Sequence, residues 1–214
     1  LIPYIKKNKA VLYVNVGDYK NVWDELIRDI PQMRELATEH FDNWKDTKAF
    51  ATKALSASQI NNSDVVTDNN RDDNSKNITA DNSSEDTSDN ITGIHGFYHK
   101  NIFEAVYCTN LLMRSADVLV TKPSELAFYP VPKLFIKRVG GHEQWGAVHS
   151  AEIGDGTLEC RDIPHTLQMI KLFMEDDTYI IDMCKNIKKN KQMGIYNGAY
   201  EAVKLAVNMK KSDI

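Results

Sequence analysis

The stretch ADVLVTKPSELAFYPVPKLFIKRVGGHEQWGAVHSAEIGDG, residues 116–156, decides the fold of this chain. It contains two short apolar, β-branched runs, Asp117–Thr121 and Lys133–Val139, and each is typical of a buried strand. A helical turn is predicted between them at Pro123–Phe128, and a helix is predicted from Glu143 to Ile153. Strands that alternate with helices favour a parallel sheet, because parallel strands need a crossover connection.

The same alternation extends on both sides of this stretch. Upstream, the apolar runs Ala10–Val16 and Gly93–Tyr98 predict two more strands. Each is followed by a helical pattern, first at Val22–His40 with a kink at Pro31, then at Asn101–Ala116. Downstream, the pattern predicts a last edge strand and three closing helices, at Gly156–Cys160, His165–Met174, Tyr179–Lys189 and Gly198–Met209.

We therefore expect an α/β fold with a doubly wound parallel sheet and closing C-terminal helices, formed by residues 1–214 as a single domain. One strand is lacking between the first long helix and Gly93. Either Ala49–Leu55 supplies a poor strand, or the sheet is one strand short.

A polar tract interrupts the predicted domain at residues 56–92. Of its 37 residues, 26 are Asp, Asn, Ser or Thr, so it is expected to be disordered or a long solvated loop. The chain as a whole has a net charge of −4, of which the tract carries −6, so the remainder carries +2. Four N-x-S/T sequons begin inside the tract, and we interpret them as a compositional accident rather than as glycosylation sites. They begin at Asn61, Asn77, Asn82 and Asn90.

Composition excludes several classes of protein. No apolar stretch reaches the about 18–20 residues that span a bilayer, and no signal peptide opens the chain. Cys108, Cys160 and Cys184 are odd in number and far apart, which favours reduced, buried thiols in a cytoplasmic protein. The mildly acidic balance gives no overall attraction to nucleic acid or anionic lipid. Because the first residue is Leu1, we expect a piece of a longer protein.

A ligand crevice is expected at the carboxyl ends of the strands. Two of the loops there are Asn15–Asp18 and Thr121–Glu125. In the second, the amides after Pro123 would form an anion site, with Lys122 adding charge and Ser124 a hydroxyl. Glu125 could accept both hydroxyls of a ribose. On spacing alone we slightly favour the other interpretation, a plain helix start with Thr121 as the cap and Glu125 complementing the helix dipole.

A third polar loop, Val139–Gly146, follows the next strand. Its two adjacent glycines, Gly140 and Gly141, would let the backbone approach a ligand closely. His142, Glu143 and Gln144 supply polar groups at the start of a helix. We favour a ligand site here over the alternative, a Gly-Gly turn followed by a solvated first helical turn.

The remaining motifs in the sequence give little evidence about function. His95 and His99 have H-x3-H spacing but lie at the end of a strand, so no metal site is predicted. No P-loop, G-x-S-x-G or G-x-G-x-x-G is present in the sequence. The lysine-rich run Lys185–Lys191 is interpreted as a solvated helix end, with contact to acidic lipid as the weaker alternative.

The order of features over residues 97–160 resembles the carboxyl-terminal, donor-binding half of GT-B glycosyltransferases, especially the MurG-like enzymes and the diacylglycerol sugar transferases (glycosyltransferase family 28 C-terminal domain). The matching features are Ala116-Asp117, Thr121-Lys122-Pro123, Ser124-Glu125, Pro132, Gly141-His142-Glu143-Gln144 and Ile153-Gly154-Asp155-Gly156. More weakly, VLYVNVGD at residues 11–18 resembles the family's first strand and glycine loop, and residues 165–189 resemble two of its closing helices.

The resemblance implies a Rossmann-like domain that binds a nucleotide sugar, usually a UDP-sugar, as a substrate, without a metal or other cofactor. Gly93–Phe97 would lie beside the base, Glu125 would hold the ribose, and Ser124 with nearby amides would meet the diphosphate. His142 and Glu143 would face the sugar. The implied donor-binding residues are Gly17, Phe97, Lys122, Ser124, Glu125, Gly141, His142, Glu143 and Gln144.

In that family the acceptor site and general base belong to a preceding half, and nine residues before the first strand cannot contain it. We therefore expect the donor half of a longer or two-chain hexosyltransferase. Its acceptor would be a lipid-linked or other hydroxyl, with peripheral contact to the inner face of the membrane through that acceptor. The alternatives are a non-catalytic nucleotide-sugar sensor and a sugar-nucleotide epimerase-like protein.

Overall fold

The structure, a computed structural model, describes residues 1–63 and 90–212. The chain divides into two compact units, Leu1–Ser115 and Ala116–Ile214. Each combines parallel strands with helices, so the prediction of a mixed α/β fold is confirmed. The two units are described in turn.

The first unit is built on a three-stranded parallel sheet. Its strands are β1 (Val11–Asn15), β2 (Ala37–Phe41) and β3 (Gly93–Tyr98), in the order β1-β3-β2. In the register, Val11 lies opposite Gly93 and Ala37 lies opposite Ile94. The helices of this unit are α1 (Ile2–Ile5), α2 (Lys20–Asp29), α3 (Pro31–Arg34), α4 (Trp44–Ser63) and α5 (Ile102–Leu112).

Helices cover both faces of this sheet. Side chains alternate along the central strand β3, so neighbouring residues pack against helices on opposite faces. Ile94 packs with Trp23 of α2, and the bare backbone of Gly96 leaves room for the Trp23 indole. A Cβ at position 96 would lie 2.5 Å from the indole. On the other face, Phe97 packs with Phe50 of α4 and with Cys108 and Leu112 of α5.

Strand β2 corrects two sequence predictions. It occupies residues 37–41, inside the segment predicted to be helical through His40. The helix breaks before Pro31, where α2 ends and the short α3 begins, so the predicted irregularity at Pro31 is confirmed. Ala49–Leu55, one of the two alternatives for the missing strand, lies within α4, whose buried residues Thr47, Phe50, Ala51 and Ala54 follow helical spacing.

The start of the polar tract is helical. Helix α4 continues through Ser63, so residues 56–63, including Asn61, are helical rather than disordered. Residues 64–89, which carry Asn77 and Asn82, lie outside the described residues. Asn90 belongs to the short connection that leads into β3.

The second unit contains a two-stranded parallel sheet. Strands β4 (Leu119–Thr121) and β5 (Lys133–Phe135) pair with Leu119 opposite Lys133. The predicted edge strand Gly156–Cys160 is reduced to an isolated bridge between Lys133 and Gly156. The helices are α6 (Gln144–Glu152), α7 (Ile163–Glu175), α8 (Thr178–Gln192) and α9 (Gly198–Ser212), and the last three are the predicted closing helices.

A buried charged network holds the second unit together. The ammonium of Lys133 lies 2.8 Å from Asp155 Oδ2, and both side chains are fully buried. Lys133 also donates to the carbonyls of Tyr129 and Val131, at 2.8 and 3.0 Å. Asp155 accepts further hydrogen bonds from Ser150 Oγ and from Tyr196 OH. Strand β5 is thereby tied to the turn after α6 and to the segment before α9.

Two further observations concern the described residues as a whole. None of the helices described in residues 1–63 and 90–212 is long and apolar enough to cross a membrane. All three cysteines are free, as expected, but Cys184 is exposed, which corrects the prediction that all are buried. Burial raises the pKa of Cys108 to about 12, so this thiol stays protonated.

Candidate functional site

The structure brings together two of the loops predicted to form the crevice. Lys122 follows β4 directly, and Glu143 lies in the loop after β5. Lys122 Nζ donates a hydrogen bond to Glu143 Oε1 at 2.6 Å. Because β4 and β5 are parallel neighbours, their carboxyl ends share one edge of the sheet. Residues 121–125 and 139–146 therefore lie at one edge of the sheet of the second unit, which we call the β4–β5 edge.

Glu143 is the most constrained group of this edge. Its Oε2 accepts from the amides of Val139 at 2.8 Å and Gly140 at 3.0 Å, while Oε1 accepts from Lys122. The side chain is only 7% exposed. The Lys122 ammonium, followed by the two amides, lowers the pKa of Glu143 to about 2. Both oxygens are thus used inside the protein, and the carboxylate fixes the shape of the Gly-Gly loop.

Glu143 predicts a specific acid sensitivity. Its folded-state pKa lies below the ordinary value of 4.5, so its stabilising effect is complete above pH 4.5 and is lost as the pH falls toward 2. We expect Glu143→Gln to lower the free energy of unfolding at pH 7 and to make stability less dependent on pH below 4.5. Urea unfolding at a series of pH values measures both effects. The exposed Glu152→Gln is the control, and parallel pH profiles for the wild type and Glu143→Gln would contradict the assignment.

Arg138 and Gly140 contact the other polar side chains of the loop after β5, Gln144 and His142. Arg138 Nη1 donates to Glu159 Oε2 at 2.9 Å and to Gln144 Oε1 at 3.0 Å. The Gln144 carboxamide therefore turns its oxygen toward Arg138, which leaves its NH2 group as the donor for an outside partner. His142 is exposed, and its ring lies against Gly140, where a Cβ would come within 2.7 Å of Cε1. A Cβ on Gly140 would therefore require the exposed His142 ring to move, whereas a Cβ on Gly141 would meet nothing within 4 Å.

The start of α6 lies close to the other loop. A Cβ on Gly146 would come within 2.8 Å of the Pro123 carbonyl oxygen and 3.2 Å of Ala127 Cβ. Helix α6 and the loop after β4 can approach this closely only because position 146 has no side chain.

Gly146→Ala is expected to destabilise the second unit. Overpacking costs about 1–3 kcal/mol, which outweighs the gain of up to about 1 kcal/mol from replacing a helical glycine with alanine. Chemical denaturation of the full chain measures the difference. Gly198→Ala is the matched control, because its added Cβ meets nothing within 4 Å, and it should be neutral or slightly stabilising. Equal stability of the two variants would show that the loop moves away from α6 at no cost.

The loop after β4 differs from its prediction at the helix start. A four-residue 3-10 helix begins at Glu125 and is preceded by Ser124, so neither Pro123 as first helical residue nor Thr121 as cap is observed. The Ser124 amide already donates to the Lys122 carbonyl at 2.8 Å. A single turn carries only a small dipole, so charge at this loop depends on Lys122 more than on helix amides.

The first unit has its own carboxyl edge, and it contains the other two predicted site residues. Gly17 has a φ of 63°, its amide donates to Asn15 Oδ1, and its carbonyl accepts from the His99 amide. Asn15 in turn donates to the Ala105 carbonyl and to Thr109 Oγ1 of α5. The Phe97 side chain is fully buried in the core, so only its backbone could meet a ligand.

Sequence reasoning missed a buried hydrogen-bond chain in the first unit. His40 Nδ1 lies 2.6 Å from Asp46 Oδ2, His40 Nε2 lies 3.1 Å from His95 Nδ1, and His95 Nε2 lies 3.0 Å from the Thr92 carbonyl. Burial lowers the pKa of His95. His99 Nε2 bonds separately to Thr47 Oγ1. Across the part of the chain that the structure describes, no group of three or more His, Cys, Asp or Glu residues could hold a metal ion.

The fold and these edges define a mixed α/β protein with small parallel sheets whose carboxyl ends carry polar loops. The chain belongs to a family described as Domain of unknown function (DUF6938), whose model matches residues 1–73 and 57–207. No curated protein and no solved structure matches the chain.

Proposed function

We propose that this chain is the nucleotide-sugar-binding half of a glycosyltransferase, which transfers a hexosyl group from a UDP-sugar to a lipid-linked or other hydroxyl acceptor. The observation that carries the proposal is the ion pair between Lys122 and Glu143. It joins the two loops that, by resemblance to GT-B enzymes, would hold the diphosphate and the sugar. The proposal includes a doubly wound, Rossmann-like fold, which goes beyond the small parallel sheets observed. The helices on both faces of the first unit's sheet support this part of the proposal.

At the β4–β5 edge, Lys122 would meet the diphosphate. Its side chain is 44% exposed, so a ligand can reach the ammonium while Glu143 still holds it. As the bond to the sugar breaks, negative charge grows on the departing diphosphate, and Lys122 with nearby amides would stabilise it. Ser124 would add a hydroxyl, and Glu125 would accept the ribose hydroxyls.

On the sugar side, His142 and Gln144 are the available groups. His142 is exposed, and Gln144 presents its NH2 to the outside because Arg138 holds its oxygen. Glu143 would act mainly by holding Gly140 and Lys122 in place, since both of its oxygens are bonded within the protein. Gly141 would give the ligand access to the backbone.

The acceptor and the general base belong, in this proposal, to another half of the enzyme or to a partner chain, with peripheral membrane contact through the acceptor. A second candidate keeps the donor site but has no transfer activity, as in a regulatory nucleotide-sugar sensor. An epimerase-like reaction on the bound nucleotide sugar is the third.

Isothermal titration of the full chain with UDP, UDP-glucose, UDP-galactose and UDP-N-acetylglucosamine tests the proposal. We expect UDP and at least one UDP-sugar to bind. His142→Ala should weaken UDP-sugar binding by about 3–10-fold, the value of one hydrogen bond, and leave UDP binding nearly unchanged. His165→Ala, at an exposed histidine on α7, should change neither.

If no nucleotide binds or raises the melting temperature at millimolar concentration, the glycosyltransferase and both alternatives fail together. Nucleotide-sugar binding without transfer, after the acceptor half has been supplied, would favour the sensor. Equal weakening of UDP and UDP-sugar binding by His142→Ala would remove His142 from the sugar side.

A further inference from the structure

The last helix of the chain has no buried side chain among those that the structure describes. Every side chain from position 198 to 209 of α9 is exposed. Five large apolar side chains are at least half exposed: Tyr200 at 67%, Val203 at 65%, Leu205 at 62%, Val207 at 50% and Met209 at 61%. The chain therefore presents an unusual amount of apolar surface on a single element.

The apolar side chains of α9 occupy one broad side of the helix. Glu201, Lys204 and Asn208 are spaced at i, i+3 and i+7, so they form a narrow polar stripe along one side. Lys204 lies 3.6 Å from Glu201 within that stripe. A helix of this length gains little stability from its own hydrogen bonds, so its apolar side needs a surface to rest on.

Positive charge precedes and follows this apolar side in the sequence. Lys188, Lys189 and Lys191 are exposed at the end of α8, and Lys210 and Lys211 lie in the last turn of α9. From Cys184 to Ile214 the chain has seven lysines against one glutamate and one aspartate. This basic segment contrasts with the net charge of −4 of the whole chain.

We infer that α9 is an interfacial helix that lies flat on an anionic lipid surface. Its apolar side would enter the boundary between headgroups and acyl chains, and the exposed lysines at the end of α8 would reach the lipid phosphates. Charge complementarity selects this partner, since an apolar helix that packs on a protein does not need lysines before and after it. The inference uses none of the proposed donor-binding residues and does not depend on nucleotide binding.

Vesicle flotation with the full chain tests this inference. Large vesicles of phosphatidylcholine with about one third phosphatidylglycerol should bind the protein, and vesicles of phosphatidylcholine alone should bind it at least about tenfold more weakly. Raising the salt from about 0.05 to about 0.5 M should release most of the protein, because screening removes the attraction of the lysines.

The variant Val203→Glu/Val207→Glu should reduce binding to the anionic vesicles by at least about tenfold. Both side chains are exposed, so circular dichroism should show an unchanged fold. Leu167→Glu on α7, where the side chain is 58% exposed, is the matched control and should bind like the wild type. Absence of binding to anionic vesicles, or equal binding by the Val203→Glu/Val207→Glu variant, would overturn the inference.

Sedimentation of the protein without vesicles distinguishes a second occupant. A dimer that Val203→Glu/Val207→Glu abolishes, in a protein that does not float with anionic vesicles, would show that α9 packs against a second copy and would also overturn the inference. Failure of UDP to bind would leave the flotation result unaffected, so the two proposals can fail separately.

Discussion

Lys133→Met should lower the free energy of unfolding by about 3–5 kcal/mol. The substitution removes the ammonium from a fully buried pair and leaves the Asp155 carboxylate with only Ser150 and Tyr196 as partners. It also removes the Lys133 hydrogen bonds to the carbonyls of Tyr129 and Val131, although the Tyr129 carbonyl still accepts from the Val131 amide at 2.9 Å. Burial lowers the pKa of Lys133, and the hydrogen bond and charge of Asp155 oppose that change.

Chemical denaturation followed by far-ultraviolet circular dichroism measures this loss. Lys185→Met is the control, since Lys185 lies in an exposed pair with Asp182 and should change stability by about 0.5 kcal/mol or less. The double variant Lys133→Met/Asp155→Asn should recover part of the loss, because it removes the uncompensated carboxylate. A Lys133→Met protein as stable as Lys185→Met would show that the pair contributes nothing to the second unit.

Trp23→Ala is expected to have an effect of similar size in the first unit, about 3–5 kcal/mol. The indole is fully buried between α2 and the sheet, packs with Ile94, and stacks edge-on with Phe41 at 5.8 Å between ring centroids. Its Nε1 donates to Glu39 Oε1 at 2.8 Å. Alanine would leave a cavity beside Gly96, where no side chain is present to fill it.

Trp145→Ala provides the comparison for this prediction. The Trp145 side chain is 70% exposed, so its loss should change the free energy of unfolding by less than about 0.5 kcal/mol. Denaturation midpoints and slopes for the two variants measure the contrast. Similar midpoints would mean that α2 is not anchored to the sheet through Trp23.

Local patterns were sufficient to locate four of the five described strands. Strand β3 has the predicted limits, Gly93–Tyr98, because apolar and small residues fill the run except at His95. Strands β1, β4 and β5 were also found, each shorter than predicted. The ends of parallel strands depend on their neighbours' hydrogen bonds, and a single segment carries no information about those.

The pattern of apolar residues did not predict strand β2. It lies at the edge of the sheet with Thr38 and Glu39 exposed, and its one buried residue is the histidine His40. A buried histidine is stabilised here by Asp46 and His95, partners that are distant in sequence or in another element. The break at Pro31 was the available clue, since the pattern that follows it need not belong to the same helix.

The candidate site was likewise predictable in part: its location follows from the strand pattern, but its internal contacts do not. Parallel strands predict that the loops after β4 and β5 share an edge, and the structure places them there. The burial of Glu143 and its bonds to Lys122 and Gly140 depend on how the Gly-Gly loop folds back, which no spacing rule contains. Lys133, set between Pro132 and Leu134 in an apolar run, was a signal for a buried pair that sequence reasoning did not use.

The most direct test of the central proposal is a map of backbone amide shifts in nitrogen-15-labelled protein during titration with a UDP-sugar. We expect the largest changes at the β4–β5 edge, in the amides of Lys122, Ser124 and Glu125 and of residues 139–144. UDP alone should shift the first group and leave His142 nearly unchanged. Absence of shifts at millimolar UDP-sugar, or shifts confined to residues outside this edge, would contradict the account.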